Sequence, residues 1–262
     1  MGPSKIERQI WPAIVAHRGA SASHPENTIE SFLAAVETGA DMVELDVRLT
    51  VDQVPVVLHD LDVSRTTDGS GFVHVMTLSD LKRLDASGGR GPRHEVPTLR
   101  EVLEALSGRI AVDIEIKNLP GEPSFDSPRE AAVEATLALL EEVRFEGPVL
   151  VSSFNWLSIE RAKERAAHIP TGLITRADVD PWAALVYVRE KSHDVLLPNV
   201  AALSAAGRPF LEAAHDDAIR VGTWTVDDPE AVRDLFEMGV DAIATNDPAM
   251  AVPIRRRFRP DP

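Results

Sequence analysis

The sequence predicts an α/β fold, a (β/α)8 TIM barrel with a small insertion between an early strand hairpin and the helix that follows it. Short apolar, β-branched runs alternate with longer amphipathic segments from end to end, the pattern of a parallel sheet with helices packed outside it. At 262 residues the chain has a length that one α/β barrel commonly occupies. Acids and histidines gather where the apolar runs end, which is where active sites of this fold lie. The expected organisation is one barrel domain over 1–262, with the insertion at about 61–95.

The strand candidates, in order, are Ala13–Ala16, Met42–Val47, Val54–Leu58, Ile110–Ile116, Val149–Ser152, Thr171–Ile174, Val195–Leu197, Val221–Val226 and Ala242–Thr245. That is one too many for an eight-stranded barrel. The link between Met42–Val47 and Val54–Leu58 is about half the dozen residues a parallel crossover needs. These two runs are therefore expected to form a hairpin turning near Val51-Asp52, its second arm an extra strand beside the barrel. Counting back from that turn sets His59 opposite Glu44. A short, helix-free parallel link is the alternative.

Helix signals lie between the runs. Asn27 with Glu30 reads as an N-cap and capping-box partner, and Gly39 ends that helix. Thr98 to Glu101 is a capping box. Ser127-Pro128, Asp180-Pro181 and Asp228-Pro229 each set a capping residue before proline at the first helical position, and Gly239 closes the last of these helices. Leu61–Glu95 is rich in Gly, Ser, Thr and Asp, includes Gly88-Gly89-Arg90-Gly91-Pro92, and has one short helical pattern at Leu78–Leu84. Insertions of this kind in barrels are commonly lids or binding loops.

Composition narrows the function. Forty-two acids against 27 bases give a formal net charge of −15, which repels nucleic acid and anionic membranes. The one basic cluster, Arg255–Arg257 with Arg259, lies in a proline-flanked tail expected to fray. The absence of cysteine excludes thiolate catalysis, disulfides and cysteine-ligated zinc. Met1–Trp11 is charged and lacks a signal-peptide core, and no run approaches the roughly 20 apolar residues of a membrane span. A cytoplasmic protein with no stable membrane association is expected.

Chemistry is carried by alternation. Glu44 and Asp46 lie two apart on one strand; Asp113, Glu115 and Lys117 do so on another. Residues two apart share a face, and charged groups facing a barrel interior are costly unless paired or bound to a cation. Glu44, Asp46 and Glu115 therefore either hold a hard divalent cation, Mg2+ or Ca2+, or form ion pairs with Arg18, Arg48 and Lys117. His17 and His59 each stand just past a strand end, placed for proton transfer. His24, His74, His94, His168, His193 and His215 are taken as structural or exposed.

These residues belong to a longer ordered series: His17-Arg18-Gly19, Pro25–Thr28, Gly39–Asp41, Glu44–Asp46, Pro55–Asp60, Arg65–Asp68, Pro97–Leu99, Glu115–Lys117, Ser152–Phe154, Trp224–Val226, and Asp241–Thr245 with Pro248. The series resembles the glycerophosphodiester phosphodiesterase family and covers nearly the whole chain. The resemblance implies a phospholipase-C-like barrel that hydrolyses small glycerophosphodiesters to glycerol 3-phosphate and an alcohol. It implies that Glu44, Asp46 and Glu115 hold one divalent cation, that His17 and His59 are the general acid/base pair, and that Arg18 and Lys117 bind phosphate. Trp224 and Phe154 would pack against the glycerol or head group, or serve the core. Pro25–Thr28 is best explained as a helix start. Two positions depart from the family pattern: Gln53 stands where a turn glycine is common, and Asn246 where an aspartate is common. Neither is expected to touch the chemistry, though Gln53 bears on the turn.

Rival readings are a lysophospholipase D-like or sphingomyelinase D-like lipid phosphodiesterase, which needs an apolar or basic docking rim not evident here, and a non-catalytic barrel binding module, which need not keep three carboxylates and two histidines. A sugar-phosphate isomerase or aldolase barrel ranks last, lacking an obvious Schiff-base or enediol arrangement.

Overall fold

The structure, a computed structural model, describes residues 11–89 and 91–259. The reading of Met1–Trp11 as lacking a leader therefore falls almost wholly outside the described residues, as does Arg90. Strands β1 (Ala13–His17), β2 (Met42–Leu49), β4 (Ala111–Ile116), β5 (Val149–Ser153), β6 (Thr171–Thr175), β7 (Val195–Pro198), β8 (Arg220–Thr223) and β9 (Ala242–Thr245) run parallel and close on themselves through β1 and β2. β3 (Pro55–Val57) is antiparallel to β2. This is the (β/α)8 barrel with an added hairpin arm that the strand count required.

Alternation builds two layers from each strand. Val43, Leu45, Val47, Val112, Ile114 and Ile116 point outward and pack with Phe32 of α1 (Ile29–Thr38) and Leu99, Val102, Leu103 and Leu106 of α3 (Leu99–Leu106). The opposite faces of β1, β2, β4 and β9 put Ala13, Val15, Met42, Ala111 and Ala242 together low in the barrel. Above them the same inward face carries His17, Glu44, Asp46 and Glu115. The remaining outer helices are α4 (Ala131–Val143), α5 (Trp156–Arg165), α6 (Pro181–Glu190), α7 (Val200–Asp216), α8 (Pro229–Met238) and α9 (Pro248–Arg255). Capping at Thr98, Asp180, Asp228 and Gly39 is as read from sequence.

Five local expectations are corrected. The hairpin register pairs Val47 with Val57 and Leu49 with Pro55, so β3 ends before His59, and extending the register would set His59 opposite Leu45. The loop is one residue longer than expected: Thr50 N donates to Val54 O at 3.1 Å, and Gln53 takes the left-handed conformation with φ 59° in a three-residue connection. Thr28, not Asn27, caps α1, its hydroxyl accepting from Ser31 N. Helix α4 starts at Ala131 rather than after Ser127, because Glu130 turns into a buried polar cluster, accepting from Asn118 Nδ2 at 2.8 Å and Ser158 Oγ at 2.6 Å. The pattern at Leu78–Leu84 yields only α2 (Leu78–Leu81), closed by a turn to Leu84. The segment 61–95 packs Val63, Val73, Leu81 and Ala86 against Val56 and Leu58.

The basic tail is also anchored. Arg255 is buried, and its Nη1 lies 3.0 Å from Asp41 Oδ1, with Arg259 Nη2 2.9 Å from the same oxygen. Asp41 Oδ2 accepts from Ile14 N at 2.8 Å, so one carboxylate ties the last helix to the first strand. No helix among the described residues is long and apolar enough to cross a membrane. Replacing Asp41 by Ala leaves the Arg255 charge buried and uncompensated, and is expected to lower stability by about 3–5 kcal/mol in urea unfolding. A loss below about 1 kcal/mol would show that the clasp contributes little.

Candidate active site

The extra arm β3 explains how two distant histidines meet. β1 pairs with the lower part of one edge of β2, as far as His17 opposite Glu44. β3 descends along the upper part, pairing with Val47–Leu49, and Leu58 N then donates to Asp46 O at 3.0 Å. His17 and His59 thus approach from opposite directions along β2, flanking Glu44 and Asp46. Parallel register sets Asp46 beside Glu115 on β4. His17, Arg18, Glu44, His59, Glu115, Lys117, Phe154 and Trp224 all line one cavity of about 370 Å3. Asp46 lies buried beneath, so the structure brings every sequence-selected site residue together. None of the six histidines set aside lines this cavity.

Glu44, Asp46 and Glu115 offer one oxygen each within 4.8 Å of one another. Glu44 Oε1 is buried and accepts no hydrogen bond among the described residues, while Asp46 Oδ1 and Glu115 Oε1 are buried against Lys117 Nζ. Opposing charge is short. Arg18 Nε is 3.3 Å from Asp46 Oδ2, and Lys117 Nζ is 2.9 Å from Asp46 Oδ1 while also pairing with Glu115. Arg48 is not available, since it forks onto Glu122 at 2.7 and 3.0 Å. The ion-pair option thus holds in part: Arg18 and Lys117 pair with the cluster, Arg48 does not, and three carboxylates face two cationic side chains. Burial, with Asp46 and Glu115 adding to it, pushes Glu44 well above the usual carboxylate range, and Glu115 is raised by burial against the pull of Lys117. Asp46 is the exception: burial would raise it, but Lys117 and Arg18 hold it well below that range. A hard divalent cation fits three buried carboxylate oxygens that lie within 4.8 Å of one another and share two cationic side chains.

The supporting residues were only partly legible. Asn27, read as a cap, has φ 58° and its Nδ2 donates to Asp46 Oδ2 at 2.8 Å. Glu26 receives Arg18 Nη1 at 2.8 Å and both Arg65 Nη atoms at 2.8 and 2.7 Å. Arg65 also pairs with Asp60, which lies 2.6 Å from His59 Nδ1. Pro25–Thr28 is therefore a site segment as well as a helix start. Gly19 has φ 82°, and a Cβ there would fall 2.2 Å from Ser31 Oγ, so only glycine permits this approach of the His17 loop to α1. Asn246, expected to be remote, has its Oδ1 2.8 Å from His17 Nδ1. Except for Asn246, noted only as a departure from the family pattern, these residues stood in the motifs, but their roles needed the fold. Arg176, at the end of β6, also lines the cavity and had no sequence signal.

Phe154 and Trp224 meet edge to face at 5.3 Å, and Lys117 Nζ lies 5.7 Å from the Phe154 ring centre. Trp224 Nε1 donates to Leu197 O at 2.9 Å, which fixes the ring as an apolar wall. The cavity is thus charged on the β1–β4 side and mostly apolar on the β5–β8 side, where Arg176 is the one charged lining residue. Burial, assisted by Arg18, lowers His17 to about 4, and burial also lowers His59.

Asp113 accepts from Ser152 Oγ at 2.6 Å, and burial pushes its carboxyl up to about 7. Its folded pKa exceeds the unfolded one of about 3.9, so its contribution to stability is fully present below that value and lost as pH rises through about 7. In chelator, Asp113→Asn is expected to stabilise by roughly 2–4 kcal/mol at pH 8, shrinking as pH falls towards 4. A pH-independent difference in denaturant unfolding would contradict the shift.

Comparisons with known proteins identify the family. The profile of the Glycerophosphoryl diester phosphodiesterase family matches residues 17–250. A glycerophosphodiester phosphodiesterase of Caldanaerobacter subterraneus subsp. tengcongensis is 36% identical over 249 residues, covering 93% of this chain and 98% of that one. One from Bacillus altitudinis is 32% identical over 253 residues, covering 94% and 99%. Among solved structures, an Oleispira antarctica phosphodiesterase in complex with the product sn-glycerol-3-phosphate superposes with a TM-score of 0.83 at 28% identity, covering 94% of this chain and 97% of that one. The chain belongs to the glycerophosphoryl diester phosphodiesterase family and is a phosphoric diester hydrolase.

Proposed function

We propose that this hydrolase cleaves small, water-soluble glycerophosphodiesters to glycerol 3-phosphate and an alcohol in the cytoplasm, working as one barrel domain with the 61–95 segment as its insertion. His17 and His59 exchange the protons, Glu44, Asp46 and Glu115 hold one divalent cation, Mg2+ or Ca2+, and Arg18 and Lys117 bind the phosphate. The observation that carries this reading is the convergence of His17 and His59 along one edge of β2 across three under-neutralised carboxylates.

A phosphodiester anion resists attack because its charge repels nucleophiles. Arg18 and Lys117 bring positive charge to the cavity wall where the diester binds, and the buried setting strengthens that attraction. When bound, the cation supplies further positive charge to offset the charge of the anionic centre. One histidine takes the proton of the nucleophile as its oxygen bonds to phosphorus. The other gives a proton to the alcohol oxygen as that P–O bond breaks. The nucleophile is either water or the substrate's own glycerol hydroxyl, the second route giving a cyclic phosphate that water then opens. Trp224 and Phe154 form the apolar wall against which the glycerol or head group packs.

Release of glycerol 3-phosphate from glycerophosphocholine or glycerophosphoethanolamine, with Mg2+ or Ca2+, tests the reading. Turnover is expected in the wild type, falling about 10²–10⁴-fold in His17→Ala and in His59→Ala, with circular dichroism unchanged. Wild-type turnover in either variant would remove that histidine from the pair. Cleavage of lysolipid without cleavage of either soluble diester would replace this substrate class by the lipid one.

A further inference from the structure

The contact between His17 and Asn246 follows from the barrel register. Ala16 of β1 sits opposite Thr245 of β9, so the next residue of each strand, His17 and Asn246, emerge side by side at the rim. His17 Nδ1 and Asn246 Oδ1 are 2.8 Å apart.

The other end of the amide determines which way it faces. Asn246 Nδ2 donates to Asp227 Oδ2 at 2.6 Å. A carboxylate only accepts, so the atom against Asp227 is the NH2 group and the atom against His17 is the carbonyl oxygen. Asp227 is itself fixed: its Oδ1 accepts from Asn246 N at 2.7 Å and from Thr245 Oγ1 at 2.9 Å. Ser21 Oγ, which donates to His17 O at 2.8 Å, lies 3.0 Å from Asn246 Oδ1. The amide oxygen can only accept, so the proton on this contact belongs to His17 Nδ1. In neutral His17 the lone pair is then on Nε2, the nitrogen that lies on the Glu44 side, 4.0 Å from Glu44 Oε2.

We infer that Asn246, oriented by Asp227, is a positioning residue that locks His17 in the Nδ1–H tautomer and aims Nε2 into the catalytic cavity. The inference rests on the proton-transfer role proposed for His17. It also explains why an amide, rather than a carboxylate, suits position 246 in this chain. With Asp227 at 2.6 Å, a second carboxylate would face the first with no proton between them. Residues 246 and 227 therefore work as one amide–carboxylate pair, and what matters is that one member donates to the other while the inner member accepts from His17.

The test is nitrogen NMR of 15N-histidine-labelled protein saturated with Mg2+, with the His17 signals assigned by their loss in His17→Ala, together with kcat and KM on glycerophosphocholine. The wild type is expected to show His17 as the Nδ1–H tautomer. Asn246→Ala is expected to mix the tautomers and lower kcat about 10–100-fold, with KM within about twofold. Asn246→Asp alone is expected to be impaired. The exchanged pair, Asn246→Asp with Asp227→Asn, restores the donor–acceptor order and is expected to recover the tautomer and most of kcat. An Nε2–H tautomer in the wild type would overturn the inference. So would an unchanged tautomer and kcat in Asn246→Ala, or an exchanged pair no better than Asn246→Asp. Absence of phosphodiester turnover in the wild type would count against the proposed function instead, while the tautomer comparison, which needs no substrate, still decides the role of Asn246.

Discussion

Three carboxylates are held out of water at one point of the barrel rim, and the neighbouring architecture answers to that. Glu44, Asp46 and Glu115 are each at most 6% exposed, a burial that charged groups tolerate only when they are compensated. Arg18 and Lys117 supply part of the compensation, both reaching Asp46 while Lys117 also pairs with Glu115. The consequence is an uneven cluster, with Asp46 held below the usual carboxylate range by Lys117 and Arg18 while burial raises Glu44 and Glu115. A divalent cation would offset that imbalance, and its charge would also suit an anionic diester.

The same constraint accounts for the added hairpin arm. A plain barrel strand would give β2 one parallel neighbour along that whole edge. Here β1 stops at His17, and β3 takes over the remaining length from the opposite direction, so two chain ends deliver two histidines to one pair of acids. The insertion is tied to this arrangement through Arg65, whose guanidinium spans Glu26 and Asp60. Glu26 holds Arg18, and Asp60 lies against His59. The 61–95 segment is thereby linked to the orientation of both Arg18 and His59, the preorganisation that the roles proposed for them would require.

Much of this was legible before any fold was known. The apolar runs located each strand to within a few residues, because a barrel strand is buried on both faces and reads as a near-continuous apolar run. The interruptions of those runs, Glu44, Asp46, Asp113 and Glu115, were themselves the signal of the site. Asn27 and Asn246 were missed for a common reason: asparagine near an element boundary is ordinarily a cap or a turn residue, and only tertiary placement shows its amide facing Asp46 or His17. The hairpin register was missed by one residue because Gln53 adopts a left-handed conformation that its residue type does not advertise. Glu130 escaped notice because its four hydroxyl and amide donors come from Asn118, Ser127, Asn155 and Ser158, segments adjacent only in the folded chain.

The most direct test of the central claim is a calorimetric titration of chelator-stripped protein with Mg2+ and with Ca2+, which needs no substrate. One cation is expected to bind per chain, with affinity sharply weakened by Glu44→Gln and by Glu115→Gln. Failure of folded protein to bind either ion, or binding indifferent to both substitutions, would contradict it.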